Sequence, residues 1–374
     1  MRDMTSFTSL HLTGADWRQL CDQALTELTG VATGQLGFLY LSDQIAGSAD
    51  RIVDRLRNES GIPHWVGCTG MGLCSNGRET YTEPALSVLI TPFEERDFRL
   101  IPSFEQDPHD WLDATRAWRE TSMASVAVVH GDPGSTQLPK LVEALADGLQ
   151  GGFLVGGISS ADTLALQIAD RATGNGLSGV LFSGQVAIST GLSQGCSLIG
   201  SKHRITACQH NVIETIDDRP ALEIFKQDIG EVLSRDLNKV AGYIFAALPI
   251  AGSDTGDYLV RNLIGMDPGR GLLAVGDLLE PGMEIQFARR DAESARDDLR
   301  RMIEGLKKRL PGEARGALYY SCLGRGRNLF GTDSEEMRLV AELLGDIPLA
   351  GFYANGEISH NRLYGYTGVL TLFS

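Results

Sequence analysis

The feature that most constrains this chain is an order of segments that recurs along it. The first run reads "LGFLYLSD", "SADRIVDRLRNESG", "PHWVGCTG" and "ALSVLITPF". The second reads "ASVAVVHGD", "LPKLVEALADGLQG", "GFLVGGISSAD" and "LSGVLFSGQVAIS". The third reads "GALYYSC", "DSEEMRLVAELLGD", "IPLAGFYANGEIS" and "YTGVLTLF". In the first run Ile52, Val53 and Leu56 fall at helical spacing among Asp and Arg, which makes one apolar stripe. The short apolar runs bounded by Gly predict buried strands. Strand, helix, strand makes a parallel pair with a crossover helix on one face, and the closing strand is expected to return beside its neighbour. The expectation is therefore an α/β (α+β) fold: repeated β-α-β-β modules forming mixed sheets flanked by helices, in two domains.

Different material separates the second and third runs. "ITACQHNVIETID" predicts a strand or hairpin, and "RPALEIFKQDIGEVLS" a helix entered through Pro220. "AGYIFAALPI", "DYLVRNLIGMDPGRGLLAVG" and "MEIQFARR" predict further strands. In "MDPGRG", Pro268 presets φ and Gly269 tolerates φ > 0. "DAESARDDLRRMIEGLKKRL" carries Asp early and Lys and Arg late, as the helix dipole favours. The main boundary is expected near residue 217, with residues 1–216 holding two copies of the module and residues 217–374 the rest.

Charge and composition narrow the function. The net charge of −15 over 374 residues disfavours nucleic acid, whose phosphates need basic surface, and equally disfavours anionic lipid. No apolar run approaches the roughly 18–20 residues that cross a bilayer, and "MRDMTSFTSLHLTGADWRQ" lacks the apolar core of a signal peptide. Six cysteines are too sparse for a disulfide scaffold. Cytoplasmic residence with reduced thiols is the expectation.

"VGCTGMG", "GGFLVGGISSAD", "GLSQGCSLIG", "RPALEIF", "DYLVRNLIGMD", "SCLGRGRNLFG" and "GFYANGEI" occur in this order. Together they resemble the FIST family, its N-terminal and C-terminal domains both, over roughly residues 36 to 374. The resemblance implies a cytoplasmic sensory module for a small ligand, an amino acid among the candidates, paired with signalling proteins. In eukaryotes the module stands beside F-box segments; neither such a stretch nor a kinase, methyl-accepting or cyclase segment is evident here. Output would then pass through a separate partner protein. One subgroup is similar to a haem-binding nitric-oxide sensor, which makes a haem sensor the alternative reading and a protein-interaction module the third.

The family's best-marked positions fall on turns after strands, where open α/β sheets place ligands. Cys322 ends a strand, Gly324 and Gly326 let backbone approach a ligand, and Arg325 offers a planar fork suited to carboxylate or phosphate. Tyr353 and Asn355 supply polar tips beside Gly356, and Glu357 is placed to pair with a ligand ammonium. Arg261 lies in an apolar strand, where an unpaired charge is costly. It is expected either to face a ligand or to bridge to an internal carboxylate such as Glu357 or Asp267. The ligand-binding set is thus Arg261, Cys322, Arg325, Tyr353, Asn355, Gly356 and Glu357. Plainer readings stand beside it: Asn355-Gly356 as a hairpin turn, and Cys68 and Cys322 as small core residues.

Nothing in the sequence assigns catalytic residues or a metal. "GRGRNLFG" lacks the Lys-Ser/Thr ending of a P-loop, no Rossmann fingerprint follows the first strand, and "GGISS" is no nucleophile elbow. Cys68 and Cys74 have no second pair at zinc spacing, and HExxH is absent. Without a Cys-x-x-Cys-His attachment, haem would be held non-covalently by one of His11, His64, His109, His130, His203, His210 and His360, or by a Cys thiolate. His360 lies nearest the expected ligand set in sequence.

Overall fold

A computed structural model of the chain describes residues 6–30, 34–234, 237, 240, 242–250 and 258–374. The chain opens with β1 (Thr8–Thr13), α1 (Trp17–Leu28), β2 (Leu36–Ser42), α2 (Ala49–Glu59) and β3 (His64–Gly70). A short hairpin, β4 (Gly72–Ser75) and β5 (Arg78–Thr80), precedes β6 (Ala85–Thr91). Next come β7 (Phe98–Phe104), α3 (His109–Ser122), β8 (Val126–Gly131), α4 (Leu138–Gly148) and β9 (Phe153–Ile158). A second hairpin, β10 (Gln167–Ala169) and β11 (Ala172–Thr173), precedes β12 (Leu177–Phe182) and β13 (Ile188–Gln194).

The middle of the chain holds β14 (Cys196–Gln209), β15 (Val212–Ile216), β16 (Arg219–Pro220), α5 (Ala221–Ser234) and β17 (Ile244–Pro249). These are followed by β18 (Tyr258–Asp267), β19 (Leu272–Val275), β20 (Glu284–Arg290) and α6 (Ala292–Arg309). The last stretch is β21 (Gly316–Cys322), α7 (Glu335–Leu344), β22 (Leu349–Ala354), the hairpin β23 (Glu357–His360) and β24 (Arg362–Tyr364), and β25 (Thr367–Phe373). The described α-helices number seven, and none is long and apolar enough to cross a membrane.

Two compact units result: residues Met1–Gln194 with Arg296–Ser374, and residues Gly195–Ala295. Residue 217, where the sequence suggests a boundary, falls inside the second unit between β15 and β16. The smaller unit is an insertion within the larger one, so neighbours along the chain are not always neighbours in space.

The larger unit holds three six-stranded sheets: β1-β6-β2-β3-β10-β11, β7-β12-β8-β9-β23-β24, and β13-β25-β21-β22-β4-β5. Each has a parallel central pair, β2 with β3, β8 with β9, and β21 with β22. In each the closing strand returns antiparallel beside the first of the pair. The short hairpin that follows the second strand leaves its own sheet. β4–β5 joins β22, β10–β11 joins β3, and β23–β24 joins β9, a cyclic exchange that ties the sheets together.

At one register in each parallel pair stands a glycine: Gly67 opposite Leu39, Gly156 opposite Val129, Gly351 opposite Tyr319. A Cβ there would lie 1.8 Å from the facing carbonyl oxygen in all three cases, so the close approach of the strands demands glycine.

One core draws apolar side chains from all three sheets, among them Phe38, Val66, Val128, Val155, Leu318 and Phe352. α1 and α2 cover the outer face of the first sheet through Leu20, Ile52 and Leu56, and α4 that of the second through Leu141 and Leu145. The helix expected over "SADRIVDRLRNESG" is α2, and the stripe of Ile52, Val53 and Leu56 is its buried face.

In the smaller unit the sheet order is β14-β20-β17-β18-β19-β15-β16, and β14 also pairs with β15. That extra pairing closes six antiparallel strands on themselves and removes their free edges. α5 starts directly after Pro220 and packs Leu222, Ile224 and Phe225 on the sheet. In the "MDPGRG" turn Asp267 Oδ1 accepts the N–H groups of Gly269 and Arg270, at 2.9 and 3.1 Å. The positive φ, +74°, belongs to Gly271 and not to Gly269: the Asp side chain holds the first half of the turn, which moves the left-handed residue two places on.

Candidate functional site

The expected ligand set divides between the two units. Arg261 lies on β18 of the smaller unit, and its Nε donates to Asp277 Oδ2 at 2.7 Å. Among the described residues its carboxylate partner is Asp277, which follows β19; this is a bridge to an internal carboxylate, though not to the two acids named as examples. The strand pairing of β18 with β19 brings Asp277 back to Arg261, a proximity that sequence distance hides.

The remaining six residues belong to the larger unit, at the carboxyl ends of β21 and β22. Arg325 follows β21 and is wholly buried. Its Nε donates to Glu336 Oε1 of α7 at 2.8 Å, and its Nη1 and Nη2 reach the Ser193 main-chain oxygen and Oγ, each at 3.3 Å. The same Glu336 carboxylate accepts Tyr319 Oη at 2.8 Å, Ser321 Oγ at 3.0 Å and the Gly326 N–H at 2.8 Å. Burial alone would lower the Arg325 pKa, but the Glu336 charge outweighs it and holds the guanidinium protonated. The fork expected to meet a ligand is thus closed on an internal carboxylate, and it fixes the turn from Leu323 to Gly326. Periodicity marks Glu336 as lying on the sheet-facing side of α7 with Met337 and Val340, but does not say which residue it meets.

Tyr353 is fully buried on β22, its ring centroid 5.0 Å from that of Tyr81. Asn355 is exposed and Gly356 is buried with φ +153°, so the pair forms the corner by which the chain passes from β22 to β23 in another sheet. The pair is a turn between sheets, not the two-residue hairpin its composition suggests. Ser160 Oγ donates to the Tyr353 main-chain oxygen and accepts the Met71 N–H at 3.0 Å, so corners from all three sheets are stitched together here.

Glu357 opens β23 and is completely buried. Its Oε2 accepts the Thr367 N–H at 3.1 Å and Thr367 Oγ1 at 2.7 Å, while Oε1 has no hydrogen-bond partner. Burial pushes its pKa up to about 8, and the Thr367 hydrogen bonds and the Arg325 charge pull only partly against that. Cys322 keeps part of its surface exposed at the end of β21. Its thiol pKa is raised by burial first and by the Glu357 charge second, while the N–H groups of Gly324 and Tyr366 act in the opposite sense. A protonated acid, a thiol and open corners therefore share one end of two parallel strands. A ligand group that reaches Glu357 Oε1 would meet an unpartnered carboxyl oxygen, which donates its O–H while neutral and accepts once ionised.

His130 is fully buried between the rings of Tyr40, Tyr320 and Phe352, with no face free for a porphyrin. His11, His203 and His360 bond Thr80, Asp217 with Asp228, and Asn361. His109 borders a cleft of about 610 Å³ whose lining is largely charged, with Asp113, Arg116, Arg119 and Glu120, and His210 is exposed in a turn. His64 bonds Asp170 and borders a groove of about 310 Å³ shared with Glu95 and Arg99. Cys322 is no better placed, since its thiol resists ionisation. These residues do not fit a haem. Among the described residues no group of three His, Cys, Asp or Glu side chains is placed to hold a metal ion.

The architecture, three helix-covered mixed sheets and an inserted closed sheet, defines a two-part α/β protein with its candidate site on strand-end corners. Residues 35–219 match the FIST N domain model and residues 221–360 the FIST C domain model. The chain belongs to the FIST family. It is similar to an uncharacterized protein of Mycobacterium tuberculosis H37Rv, 33% identical over 337 residues, which is 82% of this chain and 83% of the relative. An uncharacterized protein of Mycobacterium bovis is 31% identical over 366 residues, covering 94% and 93% of the two chains. FIST domains are a family of proposed small-ligand sensory modules.

Proposed function

We propose that this protein is a cytoplasmic sensory module that binds a small polar ligand at the carboxyl ends of β21 and β22 and signals through a separate partner protein. The observation that carries the reading is Glu357: a carboxyl group with no solvent exposure, one oxygen satisfied by Thr367 and the other unpartnered. Buried polar atoms without partners are few in native proteins, and each asks for an explanation such as a bound water, ion or ligand group. The ammonium of an amino acid would supply that group once its charge draws the carboxyl into its ionised, accepting form. Cys322, Asn355 and Gly356 line the approach, and Tyr353 backs it. Arg325 acts at one remove, because its bond to Glu336 holds the Cys322–Gly326 turn in place. Binding shifts the balance between conformations of these corners, which is what a partner protein would read.

A thermal-shift screen of the purified chain against amino acids, simple amines and nucleotides tests this. A ligand present at about 100 times its Kd raises stability by about 2.7 kcal/mol. That stabilisation should vanish in Glu357→Gln, with folding checked by circular dichroism. A ligand that stabilises the variant equally removes Glu357 from the site, and no stabilisation by any compound class sinks the small-ligand reading.

A further inference from the structure

The three central strands β2, β8 and β21 each place one polar ring at the same level of the shared core. Counting from the strand-end pairs Leu36–Thr91, Val126–Phe182 and Gly316–Phe373, these residues are Tyr40, His130 and Tyr320. They meet as a triangle, with ring centroids 5.6, 6.0 and 5.8 Å apart. Tyr40 Oη and Tyr320 Oη are 2.8 Å apart, and His130 Nε2 lies 3.3 Å from Tyr40 Oη. Three hydrogen-bonding groups have thus been drawn into an otherwise apolar core, and all three are completely buried.

The triangle is unfinished on one side. His130 Nδ1 is buried without a partner. Ser178, its directly opposed residue across the β8–β12 pair, is also fully buried, and its Oγ too has no partner. Directly opposed residues of an antiparallel pair point to the same face, with Cβ atoms about 5 Å apart, so two orphaned polar atoms lie on one face at one register. The equivalent position beside Tyr40 behaves differently. There Ser87 Oγ donates to the Cys74 main-chain oxygen at 2.8 Å, because the hairpin from the first run supplies an acceptor. No protein group does this for Ser178.

We infer that one water molecule is bound inside the larger unit, bridging His130 Nδ1 and Ser178 Oγ. The guest must be small, neutral and able both to donate and to accept. A neutral imidazole presents a lone pair or an N–H at Nδ1 according to its tautomer, and a serine hydroxyl can do either. Water satisfies every combination; an ion would be desolvated beside a neutral ring. Burial holds the His130 pKa down to about 3, consistent with a ring that stays neutral over the working pH range. With the water in place, one chain of hydrogen bonds runs Ser178, water, His130, Tyr40, Tyr320, from β12 through β8 and β2 to β21. It joins all three sheets at their common centre. This inference is independent of the ligand reading above, since none of its groups is a residue of that site.

Water-oxygen magnetic relaxation dispersion on the whole chain counts long-lived internal waters and tests the idea directly. Wild type, Ser178→Ala and His130→Phe are compared, with the Nδ1 resonance of His130 read by nitrogen NMR in the first two. The expected result is one fewer long-lived water in His130→Phe, and in Ser178→Ala a shifted Nδ1 resonance or the same loss. Should His130→Phe fail to fold, Ser178→Ala and a crystal structure near 1.2 Å carry the test. Equal water counts with an unchanged Nδ1 resonance overturn the proposal. So does density that shows His130 and Ser178 bonded directly to each other, or an empty gap between them.

Discussion

Arg325 Nε and Glu336 Oε1 lie 2.8 Å apart with neither side chain exposed to solvent. An ion pair so placed has lost all its hydration, and it persists because hydrogen-bond partners surround both charges and the Phe330 ring faces the guanidinium at 5.1 Å. Tyr319, Ser321 and the Gly326 N–H complete the carboxylate, and Ser193 takes the far side of the guanidinium. Removing one partner strands the other's charge in the core, which costs about 3–5 kcal/mol. Arg325→Ala should therefore lower unfolding free energy by that amount in urea titration. An Arg325→Met/Glu336→Leu double variant should lose clearly less. If the double variant is as damaged as the sum of the singles, the pair is not the unit argued here.

Glu357 makes stability depend on pH in an unusual direction for an acid. Its pKa is raised from 4.5 to about 8 in the folded chain, so between those values the native state holds a proton that the unfolded state has released. The native state thus binds more protons, and stability must fall as pH rises through this window, by up to about 1.4 kcal/mol per unit. Below the unfolded value the penalty is absent, and above about pH 8 it is complete. Glu357→Gln keeps the neutral form at every pH. Its melting temperature should fall less than that of wild type between pH 5 and 8, and parallel curves would refute the assignment.

The three glycines at one register predict a sharp contrast. Gly67→Ala and Gly351→Ala would each bring a Cβ to 1.8 Å from a strand carbonyl, so backbone must shift. A loss of about 3 kcal/mol or more is expected in denaturant melts. Gly47, which has open space around a Cβ position, serves as the control and should change by less than about 0.5 kcal/mol as Gly47→Ala.

His203 in the smaller unit is held from both ends, Nδ1 to Asp217 Oδ2 at 2.7 Å and Nε2 to Asp228 Oδ2 at 2.9 Å. Burial would lower its pKa, but the two carboxylates outweigh that and raise it. The resulting stabilisation is complete below the ordinary histidine value of 6.5 and is lost as pH rises through the elevated one. Proton NMR titration should find His203 titrating above 6.5, and Asp228→Asn should bring it down. A wild-type value at or below 6.5 would contradict the clasp.

Purified protein supplied with haem should show no Soret band characteristic of a ligated iron. Six of the histidines are buried among rings, bonded to neighbours or exposed in a turn, and the cleft of about 610 Å³ beside His109 is ringed by Asp113, Arg116, Arg119 and Glu120 rather than by an apolar slot. A stoichiometric, histidine-dependent band would overturn that reading of the structure.

Much of the larger unit was legible because its signals are local. α2, α4 and α7 follow from apolar residues at helical spacing, and the buried strands from short apolar runs between glycines. Family membership was legible too, since ordered motifs survive where individual residues change. The partners of the candidate residues were not. Arg261 pairs with Asp277 across a strand register, Arg325 with a helix residue eleven positions on, and neither relation has a sequence signature. The hairpin exchange was equally hidden, because β4, β10 and β23 are too short to declare which sheet they join.

What the amino-acid order determined by itself is the set of elements and their faces, because periodicity acts over one or two turns of chain. What only tertiary structure decided is which polar groups find partners. Glu357 Oε1, His130 Nδ1 and Ser178 Oγ find no partner within the protein because three sheets converge and close them off from bulk solvent, and that enclosure is a property of the packed molecule and of no segment of it.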